Sequence, residues 1–141
     1  MIRVYCASKA KHAPWWRALR AAGVPITASW IDWPANEPDA PEPTNEAWGR
    51  HWERCIDQAS DASICLFVSN ADERACGALI EAGAALAAGK RVYVVSPDAW
   101  TFAHHPRCRV FPTIEAAVGS IMAQVEGEKS REDAMARAAR D

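Results

Sequence analysis

Glu81 is the one charged residue in a long run of small and apolar residues. Between Arg74 and Lys90 the chain reads Ala-Cys-Gly-Ala-Leu-Ile-Glu-Ala-Gly-Ala-Ala-Leu-Ala-Ala-Gly. A carboxylate placed where every neighbour favours burial has to be paired, neutralised or used for chemistry. Two interpretations stay open at this point. Glu81 is either a structural acid that caps a neighbouring group, or a catalytic acid that faces a ligand.

The chemistry available to Glu81 depends on where its helix begins. Gly77 is the expected hinge between a loop and a helix that starts near Ala78, which puts Glu81 in the first helical turn. The helix macrodipole favours a negative charge there and would keep the carboxylate ionised. An ionised carboxylate facing a pocket suits displacement at a sugar carbon, whose transition state carries oxocarbenium charge. The glycines and alanines are equally explained by tight packing.

The elements that position Glu81 follow from the hydrophobic pattern. Two β-branched runs, 64–69 and 91–96, flank the alanine-rich helix and predict a βαβ unit with a right-handed crossover. The same pattern predicts further strands at 2–7, 25–33 and 109–113, helices at 12–22, 45–62 and 114–127, and proline-rich or histidine-containing loops at 34–43 and 97–108.

This alternation predicts the fold class. We expect one α/β domain with a doubly wound, flavodoxin-like parallel sheet of about five strands and helices on both faces. Ligands of such sheets bind beyond the carboxyl ends of the strands. That edge would bring together Ser8, Lys9, Trp33, Asn70 and Asp72.

Composition excludes several classes of function. The 141 residues carry a formal net charge of −2 with scattered basic residues, so no footprint for a nucleic acid polymer is present. No apolar stretch is long enough to span a membrane. The four histidines lack metal-ligand spacing and no dinucleotide or P-loop pattern occurs, so we expect no metal and no cofactor. Five cysteines without CxxC pairs favour a reducing, cytoplasmic location.

A family resemblance rests on residues 72–95. The segment Glu81-Ala-Gly-Ala-Ala-Leu-Ala-Ala-Gly-Lys90, followed by Arg-Val-Tyr-Val-Val-Ser, resembles the signature of the nucleoside 2-deoxyribosyltransferase superfamily, which includes nucleoside 5′-monophosphate N-glycosidases. Val4-Tyr-Cys-Ala-Ser8 resembles that family's first strand and ligand-binding loop. The similarity extends over most of residues 1–120, although its specific part is about twenty residues long.

The resemblance implies a reaction and a set of site residues. Glu81 would be the nucleophile that attacks the anomeric carbon of a nucleoside or nucleotide, and Asp72 or Asn70 would orient the sugar or protonate the base. Trp33 would stack on the base, while Ala7, Ser8, Lys9 and Gly77 would complete the substrate-binding set. The family's Asp or Ser six residues before the nucleophile is replaced here by Ala75.

Several alternatives remain open from the sequence. Ser8, Lys9 and Lys11 suit a 5′-phosphate, and they equally suit an ordinary solvated turn. The residue at Ala75 motivates a nucleotide-binding sensor that lacks catalysis. A third possibility is an NAD glycohydrolase, which would use the same carboxylate chemistry.

Assembly and domain limits are the last expectations. Seven tryptophans and a nearly uncharged helix give more apolar surface than one thin sheet covers, which predicts a homodimer or larger even homo-oligomer. Helices 45–61 and 75–89 would form the interface, and a second chain would border the pocket. We expect the catalytic domain to occupy 1–127 and a charged helical tail to occupy 128–141.

Overall fold

A computed structural model describes residues 1–140 of the chain. Four parallel strands form one sheet in the order β1-β2-β3-β4, with β1 at Val4–Ala7, β2 at Ile64–Val68, β3 at Arg91–Val95 and β4 at Cys108–Val110. The register pairs Tyr5 with Cys65, which in turn pairs with Val92. The predicted α/β class with a parallel, flavodoxin-like sheet is confirmed, with four strands where about five were expected.

Strands β1, β2 and β3 are buried because they consist almost entirely of apolar, mostly β-branched or aromatic residues. Successive side chains point to opposite faces of the sheet. Tyr5 lies on the face that carries α2 and α3, where it interacts with Cys55 and Glu81. Tyr93 lies on the other face, where its hydroxyl oxygen accepts a hydrogen bond of 2.6 Å from Gln124 of the C-terminal helix. The sheet is therefore covered on both faces.

Four α-helices connect and cover the strands: α1 at Ala13–Ala21, α2 at Asn45–Asp61, α3 at Cys76–Ala87 and α4 at Ile114–Arg140. Thr44 caps α2, since its hydroxyl accepts a hydrogen bond of 3.1 Å from the backbone N–H of Ala47. Gly89, with φ of +80°, follows the end of α3 in a conformation that favours glycine. The predicted helix at 45–62 is confirmed within one residue.

The predicted strand at 25–33 is wrong beyond its first residues. Ile26 makes a single parallel bridge to Val4, on the side of β1 away from β2, and Ser29–Asp32 then forms a 3₁₀ turn. Side chains hold this turn where a strand ladder was expected, because the indole N–H of Trp30 donates to the carbonyl of Cys6 at 2.8 Å. The apolar residues Trp30 and Ile31 are therefore buried in the core although they belong to a turn and not to a strand.

The last helix is longer than the predicted helix at 114–127. It continues without a break to Arg140, and all side chains from 131 to 140 are exposed. The helix is tied to the other terminus at Glu128, whose carboxylate lies 3.0 Å from the N-terminal amino group. The division of the chain into a domain and a tail at residue 127 stays a prediction.

Candidate active site

A cavity of about 380 Å³ opens at the carboxyl edge of the sheet. This volume lies within the range of small-molecule sites. Its lining residues come from the loop after β1, from the 3₁₀ turns near residue 33, from α2 and from the start of α3: Ser8, Lys9, Ala10, Trp30, Trp33, Ala35, Asn36, Trp48, His51, Trp52, Arg74, Ala75, Cys76, Gly77, Ala78 and Glu81.

Glu81 is the only acidic residue among the lining residues of this cavity. It is 8% exposed and projects from the second turn of α3, because the helix begins at Cys76 and not near Ala78 as expected. Burial raises the pKa of the Glu81 carboxyl to about 8. The expectation that the helix terminus keeps Glu81 ionised is therefore wrong: Glu81 lies beyond the first turn, where the macrodipole acts, and burial disfavours its charged form.

Tyr5 is the polar neighbour of Glu81 on the sheet. Its hydroxyl is fully buried and has no hydrogen-bond partner of ordinary geometry within residues 1–140. Burial, and then the charge of Glu81, raise the pKa of the Tyr5 hydroxyl far above its usual value. In return the hydroxyl lowers the pKa of Glu81, an effect smaller than that of burial. Tyr5 is therefore a neutral hydrogen-bond donor placed for the ionised form of Glu81.

Aromatic rings form one wall of the cavity. The ring of Trp33 stacks on His51 with centroids 3.7 Å apart and an interplanar angle of 10°, and Trp48 meets Trp33 edge to face at 5.0 Å. Burial lowers the pKa of His51, so this imidazole is neutral at pH 7. A rigid stack of this kind offers a flat apolar surface for a planar ring.

Gly77 allows the ring of Trp52, from α2, to lie close to α3. A Cβ atom at this position would lie 3.1 Å from Cη2 of Trp52, closer than ordinary van der Waals contact. Gly77 belongs to the first turn of α3, so the prediction that it forms a hinge before the helix is wrong. Its presence in the cavity agrees with the predicted substrate-binding set, whose role stays a prediction.

A second carboxylate, Glu73, holds the loop that enters the cavity. One oxygen of Glu73 lies 2.8 Å from Nε2 of His12 and 3.1 Å from Nζ of Lys11, and the other accepts the backbone N–H of Asn70 at 2.9 Å. Burial alone would raise the pKa of Glu73, but these three partners outweigh burial and bring the pKa to about 2. The cluster ties the loop after β2 to the loop after β1.

Two cations stand at the edge of the cavity. Lys9 and Arg74 both line it, and neither forms an ion pair with any described residue. Ser8 lines it as well, with its hydroxyl oxygen accepting a hydrogen bond of 2.8 Å from the indole N–H of Trp16. Lys11 is instead paired with Glu73 and lies outside the lining. The loop after β1 thus presents one lysine to the cavity, not two.

The remaining predicted site residues lie outside the cavity lining. Ala7 is buried at the end of β1, while Asn70 and Asp72 are exposed in the loop before α3. Asp72 has φ of +66°, a conformation that aspartate tolerates better than most residues. The structure therefore brings together Ser8, Lys9, Trp33, Gly77 and Glu81 without Ala7, Asn70 or Asp72.

Sequence reasoning missed several lining residues. The sequence predicts an interface role for the helix that carries Trp48 and Trp52, and it assigns no role to His51 or Arg74. It also gives no role to Tyr5, which lies beside Glu81 outside the lining. The spacing 48, 51, 52 is the i, i+3, i+4 pattern of one helix face, which identifies a shared surface but not whether it is core or cavity. No set of three histidine, cysteine or acidic residues within 1–140 could hold a metal ion.

Among residues 1–140, none of the helices combines the length and the apolar composition that a membrane-spanning segment requires.

Comparison with solved structures identifies the fold. The matching structures include two with probability 1.00. A 2-deoxyribosyltransferase from the psychrotolerant bacterium Bacillus psychrosaccharolyticus has a TM-score of 0.61 and 18% identity, with 79% of this chain and 86% of that chain covered. A CMP N-glycosidase from Clostridium botulinum has a TM-score of 0.52 and 14% identity, with 86% and 98% covered. No family model and no curated protein matches the sequence. The fold implied by the resemblance is confirmed.

Proposed function

We propose that this protein cleaves or transfers the N-glycosidic bond of a nucleoside or nucleoside 5′-monophosphate, with Glu81 as the nucleophile. One observation carries the proposal: a buried glutamate projects into an aromatic-walled cavity at the carboxyl edge of a parallel sheet. Such an edge is where ligands of this kind of sheet bind. The two matched structures are of enzymes with a deoxyribosyltransferase and a CMP N-glycosidase activity, which supports the same class of reaction.

The chemical step uses the carboxylate and the stack together. An oxygen of ionised Glu81 attacks the anomeric carbon, the C–N bond breaks, and its electron pair leaves with the base, which takes up a proton. The resulting glycosyl ester is then cleaved by water in a hydrolase or by a second base in a transferase. Trp33, held on His51, would stack on the base. The predicted roles of Asn70 and Asp72 require their loop to approach the cavity.

The raised pKa of Glu81 serves this step in a defined way. A carboxylate deprived of water is a stronger nucleophile than a solvated one, but only the ionised fraction reacts. The buried Tyr5 hydroxyl, which has no hydrogen-bond partner of ordinary geometry within residues 1–140, can donate to the carboxylate and hold one oxygen while the other attacks. The enzyme would therefore gain activity as the pH approaches 8.

A 5′-phosphate fits the cationic edge of the cavity. Lys9 and Arg74 have no ion pair among the described residues, so each is free to bind an anion, and Ser8 adds a hydroxyl beside them. Because these groups lie in the loops after β1 and β2 and Glu81 lies one helical turn into α3, a nucleotide can place its phosphate at the edge and its sugar over Glu81. We therefore expect 5′-monophosphates to react faster than free nucleosides.

A panel of deoxynucleosides, ribonucleosides, their 5′-monophosphates and NAD tests the proposal. Free base is quantified by chromatography at pH 8 for the wild type and for Glu81→Gln, which keeps the shape of the side chain. Release of base from at least one compound by the wild type alone supports the proposal. Nicotinamide as the single product would identify an NAD glycohydrolase. Release from no compound would refute an N-glycosidic activity.

The second candidate is a nucleotide-binding sensor without catalysis. Its support is that no acidic residue other than Glu81 lines the cavity, and that Ala75 stands where the resembled family has Asp or Ser. Thermal-shift screening separates the candidates, since a ligand that binds only the folded state raises Tm whether or not it reacts. Stabilisation by a nucleotide that remains intact would favour the sensor.

The proposal includes an even homo-oligomer. The outer side of α3 carries no charge, and Ile80 on it is 53% exposed. Cys76 lies one turn before Ile80 on the same side and also lines the cavity, so a second chain packed on α3 would border the cavity mouth. Sedimentation at micromolar concentration tests this directly, and a single species of 15.4 kDa would exclude it.

A further inference from the structure

A second groove lies on the opposite face of the sheet, between α4 and strands β3 and β4. Its volume is about 630 Å³, and its lining includes three arginines: Arg91, Arg109 and Arg131. Arg91 shares its face with Tyr93, because alternate residues of a strand point the same way. Since Tyr93 packs under α4 and Glu81 lies under α3, this groove is separated from the proposed active site by the sheet.

The three guanidinium groups are without counter-charges. None of them forms an ion pair or a side-chain hydrogen bond with any residue in 1–140, and no acidic residue lines the groove. Glu128, on the adjoining turn of α4, is already engaged by the N-terminal amino group at 3.0 Å. Three like charges around one groove repel each other, and this repulsion is removed when an anion enters.

Local packing holds Arg109, and Arg131 lies along its own helix. The guanidinium carbon of Arg109 lies 4.7 Å from the ring centroid of Phe111, a cation–π contact. Arg131 folds back along α4, so that one of its terminal nitrogens lies 3.5 Å from the position that a Cβ of Gly127 would occupy. Less conformational entropy is lost on binding when the binding groups are already restrained.

Neutral hydrogen-bonding groups complete the lining. Gln124 donates a hydrogen bond of 2.6 Å to the hydroxyl of Tyr93 and lies within 3.5 Å of the hydroxyl of Ser120. These three side chains form a polar cluster in the lining of the groove. Their hydroxyl groups can each donate to an anionic oxygen. Planar guanidinium groups bind phosphate oxygens in pairs, and three of them spaced around a groove fit several phosphates better than one.

We infer that this groove binds a soluble compound carrying two or more linked phosphates, at a site separate from the cavity that holds Glu81. The inference does not depend on the proposed N-glycosidic activity, because none of the groove residues lines that cavity.

Inorganic tripolyphosphate is the probe, because it has the phosphates and no base or sugar. We expect it to bind with a stoichiometry of one in calorimetry at low salt. At ten times its dissociation constant it should raise Tm by at least about 3 °C. The double variant Arg91→Gln/Arg109→Gln should weaken binding at least tenfold. Both side chains are exposed, so the fold should persist, which circular dichroism checks.

The matched control is Arg137→Gln/Arg140→Gln. It removes the same charge from exposed positions of α4 that do not line the groove. Retained binding in this control together with loss in the groove variant supports the site. Equal loss in both variants would mean a general response to net charge, and absence of binding to the wild type would remove the site altogether. Either result overturns the inference.

A parallel titration with ATP distinguishes the source of the phosphates. The part of its binding that is lost in Arg91→Gln/Arg109→Gln belongs to the groove. If the groove-dependent affinity for ATP exceeds the affinity for tripolyphosphate, the groove also contacts the base or sugar, and a nucleotide is the favoured ligand. If the two affinities are equal, the groove contacts only the phosphates. A groove-dependent part of zero for both probes contradicts the inference.

Discussion

Glu73 and Glu81 are the same residue type, eight positions apart, and their surroundings give them opposite properties. Glu73 is partly buried and has three partners, which bring its pKa to about 2. Glu81 is buried, and burial raises its pKa to about 8. The difference lies in burial and in the partners: His12, Lys11 and a backbone N–H surround the carboxylate of Glu73, whereas Glu81 is more deeply buried and has the Tyr5 hydroxyl as its polar neighbour.

This contrast separates a structural acid from a candidate catalytic one. Glu73 is ionised and fully engaged, so it has no capacity left for a substrate, and it fixes the loop that carries Arg74. Glu81 faces a cavity with a strongly perturbed pKa, which is characteristic of functional groups.

The largest effect is expected for Glu81→Gln. This change removes the nucleophile but keeps the volume, and base release should fall by at least about a thousandfold. Chromatography of the released base measures the effect, and Glu115→Gln on the exposed start of α4 is the control with unchanged activity. Activity within tenfold of the wild type would show that Glu81 is not the nucleophile.

The pH dependence of the rate should be the next largest effect. With a pKa of about 8 in the free protein, roughly 1% of Glu81 is ionised at pH 6 and half at pH 8, so kcat/KM should rise about fiftyfold between them. A stopped assay across pH 5.5–9.5 records the profile. A flat profile over this range would mean that ionisation of Glu81 does not limit the reaction.

Stability should respond to pH in opposite directions at the two acids. The pKa of folded Glu81 lies above its unfolded value near 4.5, so its protonation stabilises the fold below about pH 4.5, and this contribution is lost as the pH rises through 8. The pKa of folded Glu73 lies below the unfolded value, so its contribution is present above about pH 4.5 and lost as the pH falls through 2.

Thermal unfolding from pH 2 to 9 checks both signs. Glu81→Gln should remove the fall in Tm between pH 5 and 8 and leave unchanged the fall in Tm below pH 4.5, which is called the acid limb. Glu73→Gln should reduce the acid limb and leave the alkaline one. If both variants changed the same limb, the contrast between the two carboxyls would be wrong.

Glu73→Gln should lower kcat/KM by about tenfold, because a displaced loop misplaces Arg74 without removing a reacting group. Kinetics with a 5′-monophosphate and with the free nucleoside measure it, and the loss should be larger for the monophosphate. Glu46→Gln is the matched control, since its partner Arg50 is exposed and the pair lies on the outside of α2. Equal losses for both substrates would mean that the loop does not position a phosphate-binding group.

The smallest effect is expected for Gly77→Ala. The added methyl group meets the Trp52 ring at 3.1 Å and pushes it within the cavity that surrounds Glu81, so KM should rise about threefold while kcat changes less. Gly83→Ala on the same helix is the control: nothing lies within 4 Å of its added Cβ, and higher helix propensity should stabilise the fold by about 0.5–1 kcal/mol. A Gly77→Ala enzyme with unchanged KM would show that Trp52 does not shape the substrate site.

The sequence predicted some secondary-structure elements and some site residues correctly and others wrongly. The strands at 64–68 and 91–95 and the helix from Asn45 were found because long apolar periodicity and a threonine cap are local signals. The strand expected at 25–33 was wrong because its alternation suited a 3₁₀ turn anchored by Trp30 equally well. Within the site, Glu81 was identified by its isolation among apolar residues, whereas Asp72 was placed in the site and lies outside the cavity lining.

The sequence by itself determined the βαβ unit around Glu81, the α/β class and the isolation of Glu81 among apolar residues, since each follows from neighbouring residues along the chain. Only the tertiary structure decided the protonation of Glu81, the engagement of Glu73 by His12 and Lys11, and the meeting of Trp33 with His51. The physical reason is that desolvation and pairing depend on groups distant in sequence: Tyr5 is 76 positions from Glu81, and His12 is 61 positions from Glu73.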